Sequence, residues 1–183
     1  MIPTLHTEHL VLRAPTIDDA PALQRRFATW EVIQHLSTVV PWPYPEDGAR
    51  DFLARGLLPE VAAGRRWAWA LVPRDAPDDL AGLVEVRRET SAAGQRGLWL
   101  HPDFQGRGWM TEAVTAVQDH LLLELGWPRL EVVTAQRNAR SARLKERTGG
   151  VRTGTSTLTL HTGEAVCDVW EITQARWRAL REG

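Results

Sequence analysis

The stretch from Leu98 to Ala113 constrains this chain more than any other. Leu98-Trp99-Leu100 is a short apolar run, His101-Pro102 marks a turn, Gly106 and Gly108 punctuate a loop, and a helical pattern begins near Met110. A strand that feeds a helix through a glycine loop is a building unit of layered α/β folds. The first N–H groups of such a helix lack partners within the helix and sit at the positive end of its dipole. That junction suits an anion, above all a phosphate. Two familiar phosphate loops are excluded by spacing. A dinucleotide fingerprint requires a third glycine where Thr111 stands, and a Walker loop requires Gly-Lys-Ser/Thr, which is absent. Taken alone, the two glycines also suit an ordinary tight strand–helix turn.

The segments on either side decide what surrounds this unit. Leu10 to Arg13 is a compact strand, and Thr16 with Asp19 three residues on signals a helix start running to about Phe27. Pro41, Pro43 and Pro45 make a stiff exposed loop that carries Trp42 and Tyr44. A second helix is expected from Pro45 through Phe52, Leu53 and Leu57. Arg66 to Val72 and Leu80 to Val86 read as an antiparallel hairpin, followed by the strand Gly97 to Leu100. Val114, Val117, Leu121 and Leu125 fall at helical spacing, with Gly126 as the stop. Leu130 to Ala135 is a strand, Asn138 to Thr148 a helix capped by Asn138, and Thr155–Leu160 with Ala165–Ile172 a closing hairpin.

The order is strand, two helices, three strands, helix, strand, helix, two strands. It predicts an α/β fold in which an antiparallel half meets a parallel, right-handed crossover from Gly97 to Ala135, with helices on both faces. No repeat or linker divides residues 1–183, so a single domain is expected.

Composition removes several function classes. Lysine plus arginine number 22 against 23 aspartate plus glutamate, a net charge of −1, so no global field draws nucleic acid or an anionic membrane. Lys145 is the only lysine and Cys167 the only cysteine, which rules out an internal disulfide and a multi-cysteine metal site. No histidines stand at metal-ligand spacing, so no metal is expected. The first residues lack a signal-peptide pattern and no apolar run is long enough to span a bilayer. A cytoplasmic protein is expected, with the oligomeric state open between monomer and homodimer.

Three motifs resemble one family. Gln105-x-x-Gly108-x-Met110 is similar to the Gln/Arg-x-x-Gly-x-Gly/Ala acyl-CoA pyrophosphate loop of the GNAT superfamily of N-acetyltransferases. Asn138-Ala139-Arg140-Ser141-Ala142-Arg143 with Glu146 and Gly149 resembles the Asn-x-x-Ser-x-Arg…Glu…Gly element of its RimJ/RimL-like ribosomal-protein branch. Leu5 to Arg13 followed by Thr16 to Asp19 is similar to that branch's opening. Met110 departs from the usual small residue, which backbone binding tolerates if the side chain points away. Gly150 and Thr148 depart from an aromatic and an apolar position, which touches the packing of that helix end.

The resemblance implies the GNAT fold, a sheet splayed between its fourth and fifth strands, and acetyl-CoA as co-substrate. Backbone N–H groups of Gln105, Gly106, Arg107, Gly108, Trp109 and Met110 would hold the pyrophosphate. The free edge at Leu98 and Leu100 would pair with the pantetheine, and an N–H near Leu98 would face the thioester oxygen. Asn138 would hold the pantetheine or a water, and Arg143 would meet the 3′-phosphate. Transfer would be direct, with Ser141 protonating the leaving thiolate and either Glu85 or a water chain taking the ammonium proton. Arg140, Arg143, Lys145 and Arg147 otherwise read as a solvated charged face. Trp30, Trp42 and Tyr44 would wall the acceptor cleft, although a stiff loop stapled by its own rings accounts for them equally.

The expected reaction is acetylation of a primary amine, a protein or peptide N-terminal α-amine. Two alternatives stand: acetylation of a small amine such as an aminoglycoside, polyamine or amino acid, and a non-catalytic acyl-CoA sensor. The sequence leaves the acyl chain length open.

Overall fold

The structure is a computed structural model describing residues 1–183. Its first sheet has five strands in chain order: β1 (Leu5–His6), β2 (Leu10–Arg13), β3 (Arg66–Pro73), β4 (Gly82–Arg87) and β5 (Arg96–Leu100). A second, three-stranded sheet has the order β6 (Arg129–Ala135), β8 (Gly163–Thr173), β7 (Val151–Leu160). Every registered pair is antiparallel.

The side-chain alternation of β3 shows why this sheet is buried on both sides. Trp69 and Leu71 point to one face, where with Leu10, Leu12, Val84 and Val86 they meet α5 (Trp109–Gln118) and the π-helical turn Asp119–Glu124. Ala68 and Ala70 point to the other, where with Leu83 they meet Leu23 and Phe27 of α1 (Ala20–Phe27) and Leu53 and Leu57. The latter pair sits on the π-helical stretch Phe52–Leu57, which joins α3 (Gly48–Asp51) to α4 (Leu58–Ala62). Leu121 and Leu122 are fully buried, each contributing roughly 1.5–3 kcal/mol.

The helix start read at Thr16 is present as a 3-10 turn, Ile17–Asp19, leading into α1. Thr16 N–H donates to Asp19 Oδ2 at 2.7 Å, and Arg13 donates to both Asp19 oxygens. The second helix begins at Gly48 behind Asp47, not at Pro45, because the prolines leave residues 41–47 outside regular structure. Three short elements were not read from sequence: β1, α2 (Trp30–Ile33) and α7 (Gln174–Glu182).

The parallel crossover takes a different form from the one expected. No ladder joins β5 to β6; they lie in separate sheets pinned at one end. There Gln95 N–H donates to Glu131 O at 2.8 Å, and Glu131 N–H returns the bond to Gln95 Oε1 at 2.7 Å. Gly94 makes an antiparallel bridge to Val132 at φ +77°, where a Cβ would stand 3.0 Å from Val132 Cα. Beyond that point the strands separate, which is the expected splay. Helix α6 (Ala139–Arg147) follows β6. No helix is long and apolar enough to cross a membrane.

Candidate active site

The glycine loop follows from its local chemistry. His101 Nδ1 accepts from Asp103 N–H at the head of the 3-10 turn Pro102–Phe104, which bends the chain out of β5. Gly106 and Gly108 both adopt φ +80°, and a Cβ at either would meet nothing within 4 Å. The glycines are therefore required by backbone conformation, and the space over them is open. Trp109 is buried and stacks on Phe104 at 5.5 Å, fixing the first turn of α5, while Met110 packs against the same core. Arg107 lies over both rings. Neither Trp109 nor Met110 sends its side chain over the loop, so the loop presents backbone.

The edge of β5 beside it is only partly free. His101 N–H donates to Ala81 O and Arg87 N–H to Gln95 O, so odd-numbered residues turn their polar backbone toward β4. Leu98 and Leu100 therefore turn theirs toward the splay. Leu100 O accepts from Gln105 Nε2 at 2.8 Å, so that acceptor is occupied and Leu98 is the position left open. Gln105 also accepts from Arg140 of α6 across the splay.

Helix α6 starts as read, with Asn138 Oδ1 accepting from Ser141 N–H at 3.0 Å. Asn138 and Ser141 are half-buried and Arg143 is exposed. Ser141 Oγ lies 3.1 Å from Thr134 Oγ1 on β6 and accepts from Lys145 Nζ at 2.9 Å. This corrects the reading of Lys145 as part of a solvated face: it is 3% exposed. Burial, then the charge of Arg96, pushes its ammonium down to about 7, with Cys167 acting weakly the other way. Arg96 is itself buried on β5, donating to Gln118 Oε1 at 2.7 Å while its second terminal nitrogen has no partner. Gln118 passes the network on to Thr148 O at 3.0 Å. Sequence reasoning missed this group because each member stands alone in a differently patterned segment.

Glu85 shares the α1–α4 face of the sheet with Trp99 and sits beside Gly97, where a Cβ would meet its Oε1 at 2.9 Å. It is 7% exposed, not an outward-facing charge. Arg66 donates to Oε2 at 3.1 Å and Arg87 to Oε1, so both oxygens are held by guanidinium groups. That clamp engages one lone pair on each oxygen and sets two guanidinium charges against the carboxylate, which makes Glu85 a poorer acceptor for the proton of an incoming ammonium than an unpaired carboxylate.

The three aromatic residues expected to wall an acceptor cleft do not act together. Tyr44 packs edge-on to Phe27 at 5.1 Å and over Gly48, with burial raising its hydroxyl to about 12. It belongs to the core of the α1–α4 layer. Trp30 and Trp42 instead pair at 5.3 Å, 39% and 41% exposed, and Trp30 meets His161 at 6.1 Å. His161 Nε2 bonds Val40 O at 2.6 Å, and Thr38 N–H donates to Thr159 O, docking the proline loop on the β7–β8 turn. The neighbouring Thr162 receives Arg137, the residue before Asn138. This turn, read in the sequence only as the tip of the closing hairpin, joins the exposed tryptophans to the start of α6.

Arg137 and Arg140 each bond a neutral side chain, so their charge is uncompensated at the mouth of the splay. His35 lies in their field, and burial followed by these two charges lowers its proton affinity. No cluster of three metal-ligating side chains exists. A separate cavity of about 510 Å³ runs along the outer face of α5 and shares only Gly108 with the loop. Glu112 and Asp119 line it as well as Arg147 and Arg181, so it lacks the cationic character of the splay.

A family model described as an acetyltransferase (GNAT) domain matches residues 9–151. No curated protein matches the sequence. The ribosomal-protein-S5-alanine acetyltransferase of Vibrio fischeri superposes with a TM-score of 0.81 at 19% identity, covering 96% of this chain and 98% of that one. RimL, a ribosomal L7/L12 α-N-protein acetyltransferase solved with coenzyme A, gives 0.77 at 20% identity over 94% and 97%. Spermidine N-acetyltransferase of Vibrio cholerae, solved with CoA and spermine, gives 0.75 at 17% over 92% and 98%. At these identities the likeness establishes the fold.

Proposed function

The chain belongs to the GNAT acetyltransferase family, and we propose that it transfers an acetyl group from acetyl-CoA directly to the N-terminal α-amine of a protein or peptide. The observation that carries the donor half is the loop: two glycines at φ +80° with open space above them, at the head of α5 and beside an unpaired strand edge. Acetyl-CoA supplies an activated acyl group on a thiolate leaving group. The Gln105 N–H, expected to join the cradle, is instead donated to Pro102 O at 3.0 Å, so N–H groups from Gly106 to Met110 hold the pyrophosphate, Arg143 the 3′-phosphate, and Asn138 the pantetheine arm. The N–H of Leu98 faces the thioester oxygen and stabilises the charge that develops there. Ser141 protonates the sulfur; a thiol of pKa ~8.5 needs only modest help.

The acceptor follows from the clamped carboxylate. With both Glu85 oxygens held, the acceptor proton leaves through water, and the amine best served is one that deprotonates unaided. An α-amine of pKa ~7.8 is about one part in seven neutral at pH 7, whereas an alkylamine of pKa ~10.4 is roughly one in 2,500. Arg137 and Arg140, without carboxylate partners, oppose a polycation such as spermidine. The exposed Trp30–Trp42 pair offers an apolar wall to the first side chains of a peptide.

The test is thiol release from acetyl-CoA with a panel of N-terminal peptides and a panel of small amines. Release with α-amines and not with polyamines is expected. Release with polyamines alone overturns the acceptor assignment, and tight acetyl-CoA binding with no release on any acceptor supports a sensor instead.

A further inference from the structure

Lys145 is the one lysine of the chain, and it is buried with no carboxylate. Its ammonium donates to Ser141 Oγ at 2.9 Å. Thr134 Oγ1, 3.1 Å from Ser141 Oγ, stands 2.9 Å from Val133 O. The donors therefore run one way at rest: Lys145 to Ser141, Ser141 to Thr134, Thr134 to the Val133 carbonyl. Only the Ser141 hydroxyl proton has a choice of acceptor, since a sulfur arriving in the splay competes with Thr134. The groups facing Lys145 are Arg96 from β5 and Cys167 from β8, with neutral Ser141 on its own helix. Arg96 is the only charge among them.

We propose that Lys145 recharges Ser141 during transfer: as the C–S bond breaks, the Ser141 hydroxyl proton passes to the CoA sulfur and an ammonium proton of Lys145 replaces it on Oγ. The inference rests on the reading of Ser141 as the group that protonates the thiolate. Protons balance without a further reactant. CoA leaves as the thiol, Ser141 is unchanged, and Lys145 is left neutral. It regains its proton from solvent, into which the acceptor nitrogen releases two, one before attack and one as the amide forms; the other is the net proton of the reaction. Lys145 thus acts through Ser141, as a positioning residue and proton source. An ordinary lysine is a weaker acid than a thiol of pKa ~8.5 and could not drive this transfer. Burial and Arg96 bring Lys145 to about 7, on the downhill side of the thiolate.

Because the chain holds one lysine, ¹⁵N-lysine labelling of the whole protein gives a single side-chain ammonium signal that needs no assignment. Its titration midpoint is expected near 7; a midpoint at or above about 10 overturns the proposal. K145M is expected to lower kcat about 10²-fold, the lower range for general acid catalysis, with KM for acetyl-CoA unchanged. The loss of kcat on the alkaline side, present in the wild type near the midpoint, should vanish in K145M. K145R keeps the charge yet cannot give up its proton, so it should retain the fold and fail to restore the rate. S141A and the S141A/K145M double variant should be equally slow, because the two groups act in series. A merely structural lysine predicts instead a pH-independent loss that adds to that of S141A. Wild-type turnover with an unaltered K145M overturns this inference alone. No thiol release by the wild type with any acceptor overturns the transfer reading and this inference with it. The lysine titration separates the two, because it needs no turnover.

Discussion

Gly108 gives the sharpest separation of conformation from ligand contact. It caps α5 at φ +80°, and a Cβ there would meet no atom of the protein within 4 Å. Gly108→Ala therefore costs only the left-handed backbone, about 1–2 kcal/mol, which for a chain of 183 residues lowers Tm by roughly 2–4 °C per kcal/mol. Gly108→Glu adds a negative charge where the pyrophosphate is proposed to sit. At about 5 Å and an effective dielectric of about 20, each unit of phosphate charge is opposed by about 3 kcal/mol, or roughly 150-fold in Kd. The control is Gly64→Ala, at φ +69° with equally open space but on the turn before β3, where the same strain carries no ligand consequence. Calorimetric titration of acetyl-CoA into the three variants is the assay. Equal melting losses are expected for the two alanine variants, with affinity lost only at Gly108. Salt should recover part of the glutamate penalty, because the Debye length shrinks from about 10 Å at 0.1 M to about 3 Å at 1 M. Wild-type affinity in Gly108→Glu would refute the loop assignment.

Four further outcomes are expected. Burial raises the Asp19 carboxyl, but its bonds to Arg13 and Thr16 prevail and lower it; a depressed folded value means the cap's contribution is complete above about pH 4 and is lost as pH falls through it. Asp19→Asn should then lose about 1–2 kcal/mol at pH 7 and converge with wild type in thermal melts as pH falls below the ordinary carboxylate range. Trp42→Ala should reduce kcat/KM for an N-terminal peptide about tenfold with Kd for acetyl-CoA unchanged; equal kcat/KM would return Trp42 to a loop staple. Glu85→Gln should cost about 2–3 kcal/mol by denaturant titration, since Arg66 and Arg87 lose their shared counter-charge, while a 10²-fold fall in kcat would restore it as base. Lys145→Met should raise stability by about 1–4 kcal/mol below pH 7, where the buried ammonium is charged. Because the folded lysine holds its proton less tightly than the unfolded one, that gain should fade as pH rises toward 10.

The fold was legible wherever a single periodicity ran long enough to speak. Strands β2 to β6 and the β7–β8 hairpin lie within a few residues of their sequence bounds, because alternation and turn residues agree there. Helix α7 was unread because Gln174–Glu182 follows Thr173 with no break and is rich in arginine, so its one buried anchor, Trp177, does not form a stripe. Its indole donates to Asp119 at 2.9 Å, a contact 58 residues away in sequence. The missing β5–β6 ladder was unreadable for a similar reason. A strand–helix–strand pattern implies a parallel crossover, yet whether two strands pair or part depends on a few residues such as Gly94 and Gln95 that carry no periodic signal.

The site divides along the same line. Its backbone half is written in local residues: glycines for positive φ, asparagine for a cap, an apolar strand for an edge. Its electrostatic half is not, because a charge takes its meaning from what burial and distant partners do to it. Glu85 reads as a strand carboxylate able to take the ammonium proton, yet Arg66 and Arg87 each hold one of its oxygens. Lys145 reads as one of four cations on a helix, and the 3.6-residue period decides otherwise. Leu144 and Lys145 face inward while Arg143, Glu146 and Arg147 stay in water. What the inward turn meets is Arg96, placed there by a strand in the other sheet. Two buried cations sharing a cleft without a carboxylate weaken the fold that holds them. Burial first, and the charge of Arg96 second, are also what make this lysine a stronger acid than an ordinary one, as the proposed transfer to Ser141 requires.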